Sequence, residues 1–346
     1  MRNLKVFIVA LYLILLAGGL SSCRPQLESG APVGMIFDTS RVQDLDHIQK
    51  MSKVNGARVM FWNVGWGHDN NNNELDTNLQ EIVGSYARPD LLFLAEYKSE
   101  VLTEATKNIL DHHYPFQAFL KYDPASIIGI KVFCTQKFSV KNNEMLAWSP
   151  PGYPNSAKED YLKEWKDHTP HEVRFWDRSY NIVTLQLKGK EYNIVPLHLL
   201  EPWLAYNIRY GNLGVIKSFL VGGNNPLRHQ IINLREKLKR DFGNDMNSAP
   251  LLVIGDLNTP DSFKGIPSKL YREMSDGLKN IMPGSPYNDV TFPSQSSDAV
   301  KSSPFDKISV AIDHALVNSK LTWGGRAVLH LKGSDHYAIY LVIQDN

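Results

Sequence analysis

Apolar, β-rich runs that stop at a polar side chain constrain this chain more than any other feature. ARVMFWNV (57–64) delivers Asn63, LLFLAEY (91–97) delivers Glu96, and EYNIVPLHLL (191–200) delivers His198. LLVIGDLN (251–258) ends in Asp256 and Asn258, which alternation places on one side of an extended chain. ISVAIDH brings Asp313 and His314, and Asp335 and His336 precede the run YAIYLVI. One polar strand end is ordinary turn chemistry. Six, offering carboxylates, amides and imidazoles, are hard to explain as caps. Carboxylate and amide oxygens suit a hard cation such as Mg²⁺. Imidazoles add proton transfer and phosphate binding near neutral pH. A hard metal with histidines is the equipment of phosphate ester hydrolysis.

Helical patterns alternate with these strands. Residues 74–86 carry apolar side chains at 75, 79, 82, 83 and 86, one helical face. Residues 228–242 place Ile231, Leu234, Leu238 and Phe242 on another, with the basic residues on a solvated side. A further helix is expected over 99–110 and a short one within 39–54. Strands are also expected at 127–135, 181–188, 308–317, 324–331 and 336–343, with a hairpin turn at Lys188-Gly189-Lys190. His112 and His113 fall at a helix end, and alternation turns His314 away from Asp313. Strands outnumber helices and some neighbours are hairpin-linked. The fold class is therefore α+β: a four-layer α/β/β/α sandwich of two mixed sheets packed face to face, with helices outside. Residues 142–176 are polar and Pro-rich yet hold Trp148, Trp165 and Trp176, and read as a long surface insertion.

The first residues stand apart from this pattern. Arg2 and Lys5 precede an apolar run over 6–20, shorter than the roughly 20 residues of a membrane span. The run ends in Leu20-Ser21-Ser22-Cys23, so 1–22 read as a secretory signal peptide. These last four residues resemble a bacterial lipobox, which implies acylation of Cys23 and a lipoprotein held at the cell envelope. Residues 23–56 then form a lipidated tether with its short helix, and 57–346 the catalytic domain. The formal net charge is +1 for the whole chain. Loss of Arg2 and Lys5 makes it slightly negative, so no basic field argues for nucleic acid. With Cys23 acylated, Cys134 is the one remaining thiol and no intramolecular disulfide is available. Its apolar setting, IIGIKVFC, suits a buried, inert thiol.

The ordered series W-N-V, strand-end Glu, strand-end His, G-D-x-N, I-D-H-x-x-V and S-D-H resembles the endonuclease/exonuclease/phosphatase superfamily, from about Ala57 onward. The resemblance implies a divalent cation, Mg²⁺ or Mn²⁺, with Glu96 as main ligand and Asp335 and Asn63 beside it. It implies that Asp313 orients His336, which activates water or stabilises the attacked phosphate. His198 would donate to a non-bridging oxygen, and Asp256 and Asn258 would hold the phosphate and the water. Some members use the G-D-x-N aspartate as the base, so Asp256 and His336 both stand as candidates. Arg178 best fits an arginine of the nuclease members, with Arg174 as the alternative, and Thr291 matches a phosphate-side hydroxyl. Three departures stand out: Ala95 in place of Gln before the Glu, Ala338 in place of Pro after S-D-H, and Pro196 within the His198 strand. The last suggests an edge or bulged position.

The expected activity is hydrolysis of a phosphate ester by in-line attack of water, in a monomer. Nucleic acid outside the cytoplasm is the first substrate reading, on His198 and Arg178. A phospholipid or sphingomyelin phosphodiesterase is the second, on membrane tethering and the tryptophans of 142–176. An inositol-phosphate phosphatase ranks below both, because PFDKISVAIDH lacks that subgroup's P-A-W-C-D-R motif. A binding lipoprotein on the same scaffold is the non-enzymatic alternative.

Overall fold

Alternation along the strands decides how this chain layers. In β1 (Ala57–Asn63), Val59 and Phe61 point to one side while Met60 and Trp62 point to the other, and all four are buried. A strand buried on both faces needs a covering layer on each side. The computed structural model describes residues 35–37, 43–65, 72–85, 88–124, 126–147, 178–187, 189–200, 226–263, 266–282, 291–292 and 310–345. Cys23, the leader at 1–22, Arg174 and all three tryptophans of 142–176, Trp148, Trp165 and Trp176, lie outside the described residues.

Before β1 comes α1 (Gln43–Ser52), and after it α2 (Asn72–Gly84), β2 (Leu91–Tyr97), a 3₁₀ turn (Ser99–Val101) and α3 (Glu104–His113). There follow β3 (Phe116–Lys121), β4 (Gly129–Cys134), β5 (Phe138–Leu146), β6 (Arg178–Leu187), β7 (Lys190–His198) and α4 (Pro226–Phe242). Then come β8 (Leu251–Asp256), the short pair β9 (Ser262–Phe263) and β10 (Ile266–Pro267), and α5 (Lys269–Ser275). The chain closes with β11 (Lys279–Asn280), β12 (Asp313–Val317), β13 (Leu321–Leu329) and β14 (Ala338–Asp345). One six-stranded sheet has the order β13-β14-β1-β2-β4-β3, and a second β11-β12-β8-β7-β6-β5. Both are mixed: β1 and β2 are parallel, as are β7 and β8, and the other pairs are antiparallel.

Three apolar layers follow. Between the sheets, Val59, Phe61 and Phe93 meet Val183, Ile194 and Ile254. Outside the first sheet, Met60, Trp62 and Leu92 pack under Leu75, Leu79 and Ile82 of α2. Outside the second, Val195 and Val253 pack under Ile231, Leu234 and Leu238 of α4, the face expected from its periodicity. Each such side chain contributes about 1.5–3 kcal/mol of transfer free energy. The α/β/β/α sandwich is therefore as expected. Cys134 lies in the central layer, and burial pushes its thiol up to about 11, as suits an inert group.

Three local expectations change. Residues 142–146 belong to β5 rather than to an insertion. This edge strand is polar and exposed, and it slips register against β6 between Lys141 and Glu144, so it carries no clean alternation. Pro196 does not mark an edge: β7 lies between β6 and β8. Its ladder with β6 runs only from Lys190 to Ile194, and Pro196 pairs with Ile254 of β8. The missing N–H thus falls where the β6 ladder has ended. The strand expected at 308–317 begins at Asp313, with Val310 making a single bridge to Phe292.

The β5 slip is tied to α4. Asn142, at φ +57, donates to Asp241, and both carboxylate oxygens of Glu144 accept from Arg240, with Lys237 as a further partner. Hydrogen bonds from Arg240 first and Lys237 next lower the Glu144 pKa from 4.5 to about 2. A depressed carboxylate contributes stability above its unfolded pKa and loses it as pH falls through the folded one. The melting-temperature gap between wild type and Glu144→Gln should be full above pH 4.5 and close toward pH 2. A gap that ignores acidification would remove the pair from any role in stability.

Candidate active site

Strand direction gathers the polar ends. Parallel pairing puts Asn63 of β1 opposite Ala95, one residue before Glu96, and His198 of β7 opposite Asp256 of β8. Antiparallel pairing puts Asp313, first residue of β12, opposite Asp256. His336 enters just before β14, whose Ile339 lies opposite Phe61 of β1. Carboxyl ends of parallel strands and amino ends of their antiparallel neighbours thus share one edge of both sheets.

The backbone is shaped to present them. A Cβ on Gly255 would stand 1.9 Å from the Leu197 carbonyl oxygen, so only glycine lets β8 approach β7 here. Beyond it Asn258 takes φ +47, a conformation asparagine tolerates better than most residues. Its N–H donates to Asp256 Oδ1 at 2.9 Å, and its Nδ2 donates to the Leu199 carbonyl at 2.9 Å. Glu96 takes φ +53 where β2 slips register against β4. Ser334 Oγ donates to the Asn63 carbonyl at 2.5 Å and accepts from His336 N–H at 3.1 Å. The Trp62 indole donates to the His336 carbonyl at 3.0 Å.

The side chains then converge. Asn63 Nδ2 donates to Glu96 Oε1 at 3.1 Å and Asp256 Oδ2 at 3.0 Å, while its Oδ1 accepts from Gly65 N–H. His336 Nδ1 lies 2.8 Å from Asp313 Oδ2, and its Nε2 faces Asp256 Oδ2 at 3.7 Å. His198 Nε2 faces Glu96 Oε1 at 3.4 Å and Asp256 Oδ2 at 3.5 Å. The Arg178 guanidinium lies 5.0 Å from the centre of the Tyr122 ring, and Tyr122 Oη is 2.7 Å from His198 Nδ1.

Two residues sit less centrally than expected. Asp335 is half-buried beside Ser334 and Gly65, outside the groups of donor atoms that lie within 4.8 Å of one another. Those groups are Glu96, His198 and Asp256, and Asp256, Asp313 and His336. The Thr291 hydroxyl accepts from the N–H groups of Ile312 and Asp313, both at 3.0 Å, which places it behind Asp313. Its neighbour Phe292 stacks near His336, with ring centres 4.9 Å apart. His314 turns away as alternation requires, donating from Nε2 to the Thr259 carbonyl at 2.8 Å. Trp62 is the tryptophan of W-N-V, though the motif does not foretell its bond to His336. The sequence pattern does not single out Tyr122, and Phe292 is signalled only by its adjacency to Thr291.

Burial and charge set the protonation of this edge. Burial alone would lower the His336 pKa, but Asp313 and then Asp256 outweigh it and raise it well above 6.5. Burial first, then the Asp313 charge, raises Asp256 well above 3.8. Burial first, then Arg178 and His336, lowers His198 well below 6.5 and keeps it neutral. The two donor groups share Asp256 and offer carboxylates with imidazole, a set that fits a divalent cation. Bringing Glu96, Asp256 and Asp313 together under low exposure calls for positive charge, which the raised Asp256 pKa expresses.

A two-sheet sandwich with a His–Asp pair and clustered carboxylates at its strand ends defines a phosphoesterase-type scaffold. The chain matches the Endonuclease/Exonuclease/phosphatase family over residues 60–336, and it belongs to that family, whose members are phosphoester hydrolases. A family protein from Bacteroides thetaiotaomicron is similar in structure, with a TM-score of 0.54 and 15% identity, covering 84% of this chain and 98% of that one. Truncated Caenorhabditis elegans TDP2 is similar at 0.52 and 16%, covering 84% and 98%. The mannosyl-6-phosphatase of Bacteroides thetaiotaomicron is similar at 0.54 and 14%, covering 83% and 99%. At such identities the likeness speaks for the fold. No curated protein matches the chain in sequence.

The His336–Asp313 contact makes the first kinetic prediction. His336→Ala and Asp313→Asn should each lower kcat by about 10²- to 10⁴-fold on a hydrolysed phosphoester, the range of a lost acid–base group. Circular dichroism should show both variants folded. A loss under about tenfold in either would remove the pair from catalysis.

Proposed function

We propose that the chain hydrolyses a phosphodiester by in-line attack of water, with Mg²⁺ or Mn²⁺ held by Glu96 together with Asp256 and the nearby Asn63 and Asp335. The cation, when bound, neutralises charge on the phosphoryl oxygens. The observation that carries the reading is the His336–Asp313 pair facing Asp256 across the edge. Asp313 accepts a hydrogen bond from Nδ1–H and so holds His336 as an imidazolium, whose Nε2–H donates to the attacked phosphate. Asp256 takes the water's proton: it ends β8 facing the site and accepts the Asn258 amide, which places it beside the water that Asn258 holds. Asn258, fixed by Leu199, holds the water against Asp256. His198 and Arg178 donate to the non-bridging oxygens.

Charge favours a diester. Glu96, Asp256, Asp313 and Asp335 balance Arg178, His336 and a divalent cation, so the edge keeps no surplus positive charge for a second phosphate charge. A monoanionic diester costs less to place there than a dianionic monoester. Nucleic acid is the first reading within that class. A membrane phosphodiester is the second, and one observation favours it. Phe116, Phe119 and Ile127 are exposed on the β3–β4 hairpin whose Tyr122 enters the site. The apolar run at 6–20 and Cys23 support export as a lipoprotein at the bacterial cell envelope. Among the described residues no helix is long and apolar enough to cross a membrane.

Purified protein with Mg²⁺ or Mn²⁺ should be tested on plasmid, single-stranded DNA, RNA, sphingomyelin, an inositol polyphosphate and mannose 6-phosphate. Diester cleavage that chelator abolishes is expected, and turnover of the monoesters alone would overturn the diester reading. The proton acceptor is a separate question. The acid limb of the kcat/KM profile should persist in His336→Asn and vanish in Asp256→Asn. The opposite pattern would assign the base to His336.

A further inference from the structure

Glu96 and His198 stand on different sheets, yet one hydroxyl touches both. β2 slips against β4 between Leu94 and Tyr97, and Glu96 lies inside the slip at φ +53. Such a bulge re-aims a side chain and takes an amide out of the ladder. The Glu96 N–H donates instead to Tyr122 Oη at 2.7 Å. The same oxygen lies 2.7 Å from His198 Nδ1. Tyr122 and His198 are each only 6% exposed, so these bonds form away from water.

A phenol has one proton to donate. Tyr122 Oη already accepts from Glu96, and His198 Nδ1 is the acceptor within reach of its own proton. Nδ1 is then a lone pair, and the imidazole carries its proton on Nε2. That nitrogen faces Glu96 and Asp256, where a phosphate oxygen would need a donor. The tilted contact of the Tyr122 and His198 rings, 5.0 Å between centres, and the Arg178 guanidinium over the phenol hold the hydroxyl in place.

The geometry points to Tyr122 as a positioning residue: one hydroxyl fixes His198 as the Nε2–H tautomer and ties it to the bulge that presents Glu96. Deleting that oxygen leaves the Glu96 amide and His198 Nδ1 without their partner. It also removes the bias between tautomers, so part of the population offers the phosphate a lone pair instead of a proton.

The rate part of the test rests on the hydrolase reading; the spectroscopic part does not. The full chain, with its histidines ¹⁵N-labelled and Mg²⁺ present, gives long-range ¹H–¹⁵N spectra in which His198 is assigned by its loss in His198→Gln. Wild type should show His198 protonated on Nε2 alone, and Tyr122→Phe should show a mixture. Tyr122→Phe should lower kcat by about tenfold or more with KM within about twofold, and His198→Gln should cost far less in the Tyr122→Phe background than in wild type. A wild-type His198 protonated on Nδ1, or rate losses that simply multiply, would overturn the assignment. If wild type cleaves no phosphoester, the hydrolase reading fails and the wild-type spectrum alone decides Tyr122.

Discussion

Where the two sheets meet at their polar edge, hydrogen bonds cross from one to the other. Asn63 of the first sheet reaches Asp256 of the second, His336 reaches Asp313, and Tyr122 reaches His198. All six residues are buried. In a medium of low dielectric a polar group without a partner is costly, so each of these bonds demands its opposite number at the right height. The central apolar layer supplies that height by fixing the separation and register of the sheets. A slip of one residue in β8 would turn Asp256 away from the edge and bring Leu257 into its place.

The same edge holds the backbone in unfavourable states. Glu96 and Asn258 both take left-handed φ values without being glycine, at a cost of about 1–3 kcal/mol each. Each has a specific compensation. The Glu96 amide finds Tyr122, and Asn258 is held at both ends, by Asp256 through its N–H and by Leu199 through its side chain. Strain here is local, and the bonds that stabilise it are those that aim the functional groups.

Much of this is legible in the sequence because central strands are buried on both faces and read as unbroken apolar runs. β1, β2, β7 and β8 announce themselves, and so do the polar residues that end them. Edge strands give weaker signals. β3 and β5 are exposed along much of their length, and α5 is a short helix with no long periodic face to mark it. The relation of Asp335 to Glu96 is not legible, since it depends on how the loop before β14 and the end of β2, on either side of β1 in one sheet, direct their side chains. Tyr122 is the hardest to see. In KYDPAS it is one tyrosine among turn residues, and its importance comes from a histidine 76 positions away on the opposite sheet.

The motif Gly255-Asp256-Leu257-Asn258 shows how few residues carry the junction of fold and chemistry. Gly255 lets β8 press against the Leu197 carbonyl. That contact sets His198 opposite Asp256, so the histidine's height follows from the missing side chain. Asp256 accepts from Asn63 across the sandwich and faces both His198 and His336, which makes it common to both groups of potential metal-binding atoms. Leu257 turns into the outer core and donates its amide to Ile312, one residue before Asp313. Asn258 then reverses the chain and ties back to the strand that carries His198. An alanine in place of Gly255 would separate β7 from β8, and every distance in the site that runs through Asp256 would change with it.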